Sequence, residues 1–232
     1  FGSRTQGHAR RAGPRAGPRR PAAMRCLPRC CRWGQGGAVE EAAEDAGRVR
    51  LRERGAGVRV SEGLDGDTVS GSGAALGGAE VEQDAAYWEL RVLALPAGAG
   101  CCAGVARQSA PLDGPLAAAA RPQLLGSALE EDEEAPSAPQ PQSVWALSSE
   151  VAGLAEGDVV GVAFGQGEIP NLRFFRNGEP LERESVAHVR GTVCPAFSVQ
   201  GGAVLAVSFE RNAFRFRPPA NFSELLPTRS IL

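Results

Sequence analysis

Lysine is absent from this chain: all 25 of its basic residues are arginine. That excludes a P-loop nucleotide enzyme, whose lysine reaches the phosphates, and every Schiff-base mechanism. Histidine occurs only at His8 and His188, so a serine or cysteine nucleophile would have almost no imidazole to take its proton. Aromatic residues make up 6% of the chain, and most of them fall at positions that read as core, leaving few to stack on a sugar ring in a hydrolase cleft. No apolar run approaches the roughly 18–20 residues that a membrane-crossing helix needs. The only methionine is Met24.

What is present divides in two. Residues 1–32 carry nine arginines and no acid, so the remaining 200 residues hold 16 arginines against 27 acids, a net of −11 within a total of −2. A basic arm of this kind can bind nucleic acid by releasing counterions. Repeated Gly-Pro-Arg and a single methionine favour another reading, in which residues 1–23 are translated upstream sequence and Met24 is the start; the rest is then net acidic and repels phosphate, so no nucleic-acid partner is expected. Of six cysteines, Cys26, Cys30 and Cys31 lie among arginines just after Met24. Their spacing is poor for tetrahedral zinc. Clustered thiols beside basic residues suit reversible acylation and peripheral membrane contact, although an inert tail explains them equally well. With no secretory signal evident, a cytoplasmic location and free thiols are expected.

From Arg48 onward the sequence reads as short strands separated by glycine. Residues 48–54 and 58–60 form an expected hairpin around Gly55-Ala56-Gly57. Tyr87 to Leu93 alternates, with Trp88, Leu90 and Val92 inward and Tyr87, Glu89 and Arg91 outward. Asp158 to Phe164 is apolar on both faces and reads as a central strand. Asn171 to Arg176 runs into Asn177-Gly178, the strongest short hairpin signal, and strands follow at Thr192 to Val199 and Ala203 to Phe209. Together these predict an all-β, antiparallel two-sheet β-sandwich over residues 48–232, preceded by a disordered tail over 1–47. Residues 117–142, rich in alanine, proline and acid, are expected to be a disordered insertion.

The order Tyr87-Trp88-Glu89-Leu90-Arg91-Val92, Gly104-Val105-Ala106, Glu156-Gly157-Asp158-Val159-Val160-Gly161-Val162, Leu172 to Gly178 and Gly191 to Val199 resembles the SPRY (B30.2-type) domain family. The resemblance covers about residues 24–232, with gaps. It departs from the family between Trp145 and Gly157, where an extra short strand and loop are usual. It implies a concanavalin A-like sandwich without catalytic activity or cofactor, acting as an adaptor that binds a peptide segment of a partner protein through loops on one face. Loops expected to share one end of the sandwich supply the contact residues: Leu64, Asp65 and Asp67, then Arg107 and Asp113, and Trp145. Arg107 would fork onto a partner carboxylate and Trp145 would anchor apolar surface, against the plainer readings of a solvated arginine and a core tryptophan. A carbohydrate-binding module is the alternative, with Asp65-Gly66-Asp67 offering oxygens to calcium, although two acids around a glycine are first of all a turn.

Overall fold

The computed structural model describes residues 47–63, 66–116 and 142–227. The basic arm, Cys26, Cys30, Cys31, Leu64, Asp65 and almost all of the expected insertion lie outside the described residues.

The chain forms two layers. A five-stranded sheet contains β1 (Leu51–Arg54), β4 (Gly73–Gly77), β12 (Cys194–Gln200), β6 (Gly100–Ala106) and β7 (Val144–Ser148), in that spatial order. A nine-stranded sheet runs from β10 (Glu179–Pro180) through β9 (Asn171–Arg176), β8 (Val159–Gly165), β5 (Ala85–Ala94), β13 (Val204–Ser208) and β3 (Gly66–Gly71) to β2 (Val58–Gly63). Two-residue strands complete it: β11 (Val186–Ala187) on β9 and β14 (Ser223–Glu224) on β5. Every pairing is antiparallel except that of β14 with β5.

Alternation decides what fills the space between the sheets. Trp88, Leu90 and Val92 of β5, Val160, Val162 and Phe164 of β8, and Leu172 and Phe174 of β9 all point inward, and so do Leu205 and Val207 of β13. They meet Ala75, Val105, Trp145, Phe197 and Val199 of the smaller sheet. Each large side chain fully buried there contributes about 1.5–3 kcal/mol. β13 shows the rule cleanly: Ala203, Leu205, Val207 and Phe209 are buried, and Val204, Ala206 and Ser208 are half-buried.

Several sequence expectations meet the structure directly. β8 lies between β5 and β9, as a strand apolar on both faces requires. The Asn177-Gly178 turn joins β9 to β10 with φ of 52° and 84°, the two positive values a type I′ turn needs.

Two expectations are corrected. β1 and β2 are not a hairpin: β1 pairs with β4 and β2 with β3, in different sheets, so Gly55-Ala56-Gly57 carries the chain between layers. The reason is register, since Leu51 and Val58 each bury one side against a different sheet and cannot share one. The outward side of β5 is not solvated throughout either. Tyr87 and Glu89 are buried because the segment after β13 crosses over them.

Candidate partner-binding site

Arg107 is the first residue after β6. Its N–H still donates to Ser143 O at 2.8 Å, extending the β6–β7 ladder by one step. Ladder geometry therefore fixes where the side chain begins. Its guanidinium donates from Nε (3.2 Å) and Nη2 (3.0 Å) to Arg190 O, and its Cζ lies 5.9 Å from the Trp145 ring centroid. Arg190 O is itself well placed: Val189 is buried and donates its N–H to Pro170 O, and the chain then reverses through Gly191 at φ 82°. The result is a half-buried guanidinium oriented by a carbonyl and an aromatic face, with Nη1 making no hydrogen bond among the described residues. A guanidinium held in this way loses less rotamer entropy on meeting a carboxylate.

The other sequence candidates fall differently. Trp145 is 3% exposed and belongs to the inter-sheet core, so it supports Arg107 and does not anchor a partner itself. Asp113 is exposed, and its carboxylate accepts from Ala56 N–H at 3.0 Å. That contact sits before β2, at the opposite end of the strand from the paired Gly63 and Gly66. Six strand residues separate the two by about 20 Å. The expected loops therefore do not share one end. Arg107 lies towards the end of the β2–β3 connection, as the pairing of Cys194 with Ala106, Leu51 with Gly77 and the Leu51–Asp67 bond show together. Asp113 lies at the opposite end because residues 107–116 cross the outer face of the small sheet. There Ala110, Leu112 and Leu116 pack on Ala74, Leu76, Cys102 and Ala196 in a second apolar cluster.

Asp67 is also corrected. It is not a loop residue but part of β3, and it is 1% exposed. Its carboxylate accepts from Arg50 Nη1 at 3.0 Å and Leu51 N–H at 2.8 Å. Burial raises its pKa above the ordinary carboxylate value, more than the Leu51 and Arg50 contacts lower it. An inward carboxylate already committed to two donors is no calcium ligand at a turn, so the carbohydrate reading loses one of its two acids.

Sequence reasoning missed two constellations. Glu89, 3% exposed, accepts from Tyr87 Oη (2.9 Å), Phe216 N–H (3.0 Å) and Arg215 N–H (2.6 Å). It pins residues 211–222 as a strap across the outer face of the large sheet. Phe214 meets Tyr87 edge-on at 5.2 Å, and Arg173 lies 4.8 Å over Phe222. Burial, and then the Glu89 carboxylate, push the Tyr87 hydroxyl pKa well above its usual range. The only local signal was the run of Phe214, Phe216 and Phe222 after the last long strand. The second constellation joins Asp158 to the turn. Asp158 accepts from Asn177 Nδ2 (2.7 Å), Ala155 N–H (2.8 Å) and Arg176 Nη2 (2.8 Å), and Asn177 Oδ1 accepts from Val159 N–H (2.9 Å). Partial burial pushes the Asp158 pKa up, but these donors outweigh it and hold the carboxyl below its ordinary value.

Cys101, Cys102 and Cys194 are buried and form no disulfide among the described residues. Burial pushes the Cys101 and Cys194 thiols up to about 11, so they are protonated and poor nucleophiles at neutral pH. His188 is an exposed loop residue at φ 62°. Among the described residues no three His, Cys, Asp or Glu side chains gather as a metal site, and no helix is long and apolar enough to cross a membrane.

No protein-family model matches the chain. No curated protein matches it either. Solved structures do resemble it. The SPRY domain of human HERC1 is 13% identical, covering 66% of this chain and 94% of that one, with a TM-score of 0.37. A second human SPRY domain is 14% identical, with coverage of 66% and 97% and a TM-score of 0.43. The NEUZ (NHR) domain of Neuralized from Drosophila melanogaster is 11% identical, with coverage of 75% and 95% and a TM-score of 0.44.

Proposed function

We propose that the chain is a SPRY-type interaction module, cytoplasmic and non-catalytic, which holds a short segment of a partner protein against the loops at the Arg107 end of the sandwich. The motif order over residues 87–199, together with the two-sheet architecture, supports the family reading. A narrower likeness, to SPRY domain-containing protein 7, rests on Arg190 to Val193, residues 218–222 and the cysteine-rich stretch from Met24 to Gly34. Acylation of Cys26, Cys30 or Cys31 would add a membrane contact to the same module.

The observation that carries the binding reading is the oriented guanidinium of Arg107, with Trp145 beside it and a donor nitrogen to spare. A partner carboxylate is its natural complement. Leu64 and Asp65, which lie outside the described residues, are proposed as further contacts because they follow Gly63, the last residue of β2. Asp113, at the opposite end, and Asp67, turned inward, are not part of that footprint. The test is affinity capture with the full chain and with Arg107→Glu, followed by direct titration of the recovered partner. Loss of that partner is expected, with a cooperative unfolding transition retained at a melting temperature only a few degrees lower, as the loss of two exposed hydrogen bonds to Arg190 O implies. Equal recovery by the two proteins refutes the Arg107 face.

A further inference from the structure

The outer face of the large sheet between β5 and β2 is a separate surface. Strand pairing sets its rows. Arg91 stands opposite Ala206, Ala206 opposite Thr68, and Thr68 opposite Ser61. Glu89 stands opposite Ser208 in the next row, and Arg59 opposite Ser70 at the far corner. Small side chains thus floor the middle of the face, and taller ones stand at its sides. The strap supplies a wall through Phe214 and Arg215, and the half-open groove has a volume of about 440 Å³. From β5 to β2 are three interstrand spacings of about 4.8 Å, or about 14 Å in all, wide enough for an extended peptide with its side chains.

Charge selects the occupant. Arg91 and Arg215 both line the groove, both are exposed, and neither side chain has a partner among the described residues. Arg59 adds a third exposed guanidinium on the same face. Among the described residues the one acid lining the groove is Glu89, whose carboxylate accepts from Tyr87 Oη and two backbone N–H groups. A groove whose described lining sets two guanidinium groups without ion-pair partners against one carboxylate, on a domain whose described residues are net acidic, is a local device and does not reflect bulk charge. Leu93, Val159 and Phe214 supply apolar contact along the same groove.

We infer that this groove docks an extended acidic peptide segment, in which glutamate or aspartate side chains meet Arg91 and Arg215 and intervening apolar side chains rest on Leu93, Val159 and Phe214. It is independent of the Arg107 end, so one domain presents two faces to its partners.

The probe is a fluorescein-labelled octapeptide of alternating glutamate and leucine, titrated by anisotropy into the full chain, beside its glutamine counterpart and a heparin octasaccharide. The glutamate peptide is expected to bind at least tenfold more tightly than the glutamine peptide and to weaken steeply with added salt. The R91Q/R215Q double variant should lose at least tenfold in affinity. Ala206→Trp, which fills the floor without touching charge, should do the same and decides the matter if the double variant fails to fold. Arg107→Glu should bind as the unaltered chain does. Absence of binding overturns the inference, as do equal affinity for the glutamine peptide, binding of heparin alone, or indifference to the groove variants. Loss on Arg107→Glu with none on R91Q/R215Q would place the peptide at the rim, sinking this inference while sparing the proposed function.

Discussion

Replacing Asn177 perturbs a position where backbone conformation and side-chain bonding are both demanding, and the two can be separated by choice of residue. Asn177 sits at φ 52°, a region that costs an ordinary L-residue about 1–2 kcal/mol and glycine nothing. Its side chain accepts from Val159 N–H and donates to Asp158. Asn177→Gly keeps the turn and removes both bonds. A hydrogen bond to a charged group is worth about 1.5–3 kcal/mol, and stranding the partly buried Val159 N–H adds to that, so a loss of about 3 kcal/mol is expected. Asn177→Ala adds the strain, for about 4 kcal/mol in all. For a domain of this size 1 kcal/mol moves Tm by about 2–4 °C. The glycine variant should therefore melt about 6–12 °C lower, and alanine a further 2–4 °C. Urea unfolding followed by tryptophan fluorescence gives the free energies, with unchanged slope showing that the same structure unfolds. Equal stability of the two variants, or a glycine variant within about 0.5 kcal/mol of the parent, would refute the reasoning.

Three further outcomes follow from the same contacts. Asp158→Asn should destabilise at neutral pH and matter less in acid: a carboxyl whose folded pKa lies below its unfolded value stabilises fully above the unfolded value and loses that contribution as pH falls through the folded one. The gap between the two proteins' urea midpoints should close below about pH 4, and a gap independent of pH would contradict the assignment. Glu89→Gln cannot accept from Tyr87 and from two backbone donors at once, so the strap should open more readily. At about 2 kcal/mol, amide exchange at Arg215 and Phe216 should quicken roughly 30-fold while the core strands hold, and uniform acceleration across the sheet would argue against a local latch. Gly161→Ala places a methyl against the Tyr87 ring and hydroxyl; a loss of about 1–3 kcal/mol is expected, and a much smaller one when the same change is made in a Tyr87→Leu background. Additive losses in that pair would mean the two residues do not touch.

The sequence motifs turn out to be parts of single physical units. The Gly-Asp-Val-Val run and the Asn-Gly dipeptide lie nearly twenty residues apart, and each read on its own terms as the entry to a central strand and as a tight turn. In the structure Asp158 and Asn177 bond side chain to side chain, so the acid entering β8 holds the turn leaving β9. The inward faces of β5, β8, β9 and β13 were legible because alternation is a local pattern that any one strand displays. Pairing partners are not local. Arg48 to Arg54 and Val58 to Val60 looked like two arms of one hairpin, and nothing within those residues says that Leu51 answers Gly77 while Val58 answers Gly71.

The same distinction explains why the candidate site was only partly readable. Arg107 stood out by type and position, but what orients it is a carbonyl 83 residues away, delivered by a turn whose Gly191 carries no sign of its purpose. Asp67 was misplaced for the converse reason. Acid next to glycine reads as turn, yet β3 begins at Gly66 and strand parity then directs Asp67 inward to Arg50 and the Leu51 N–H. Parity equally governs the groove: Thr68, Ala206 and Arg91 belong to three strands scattered over 139 residues, and only cross-strand register sets them in one row. A strand shifted by one residue would bury Arg91 and expose Leu90, destroying the core and the basic face together. The packing of Trp88, Leu90 and Val92 between the sheets is therefore what holds the arginines outward, and a core substitution that loosened the register of β5 should weaken acidic-peptide binding without touching the groove.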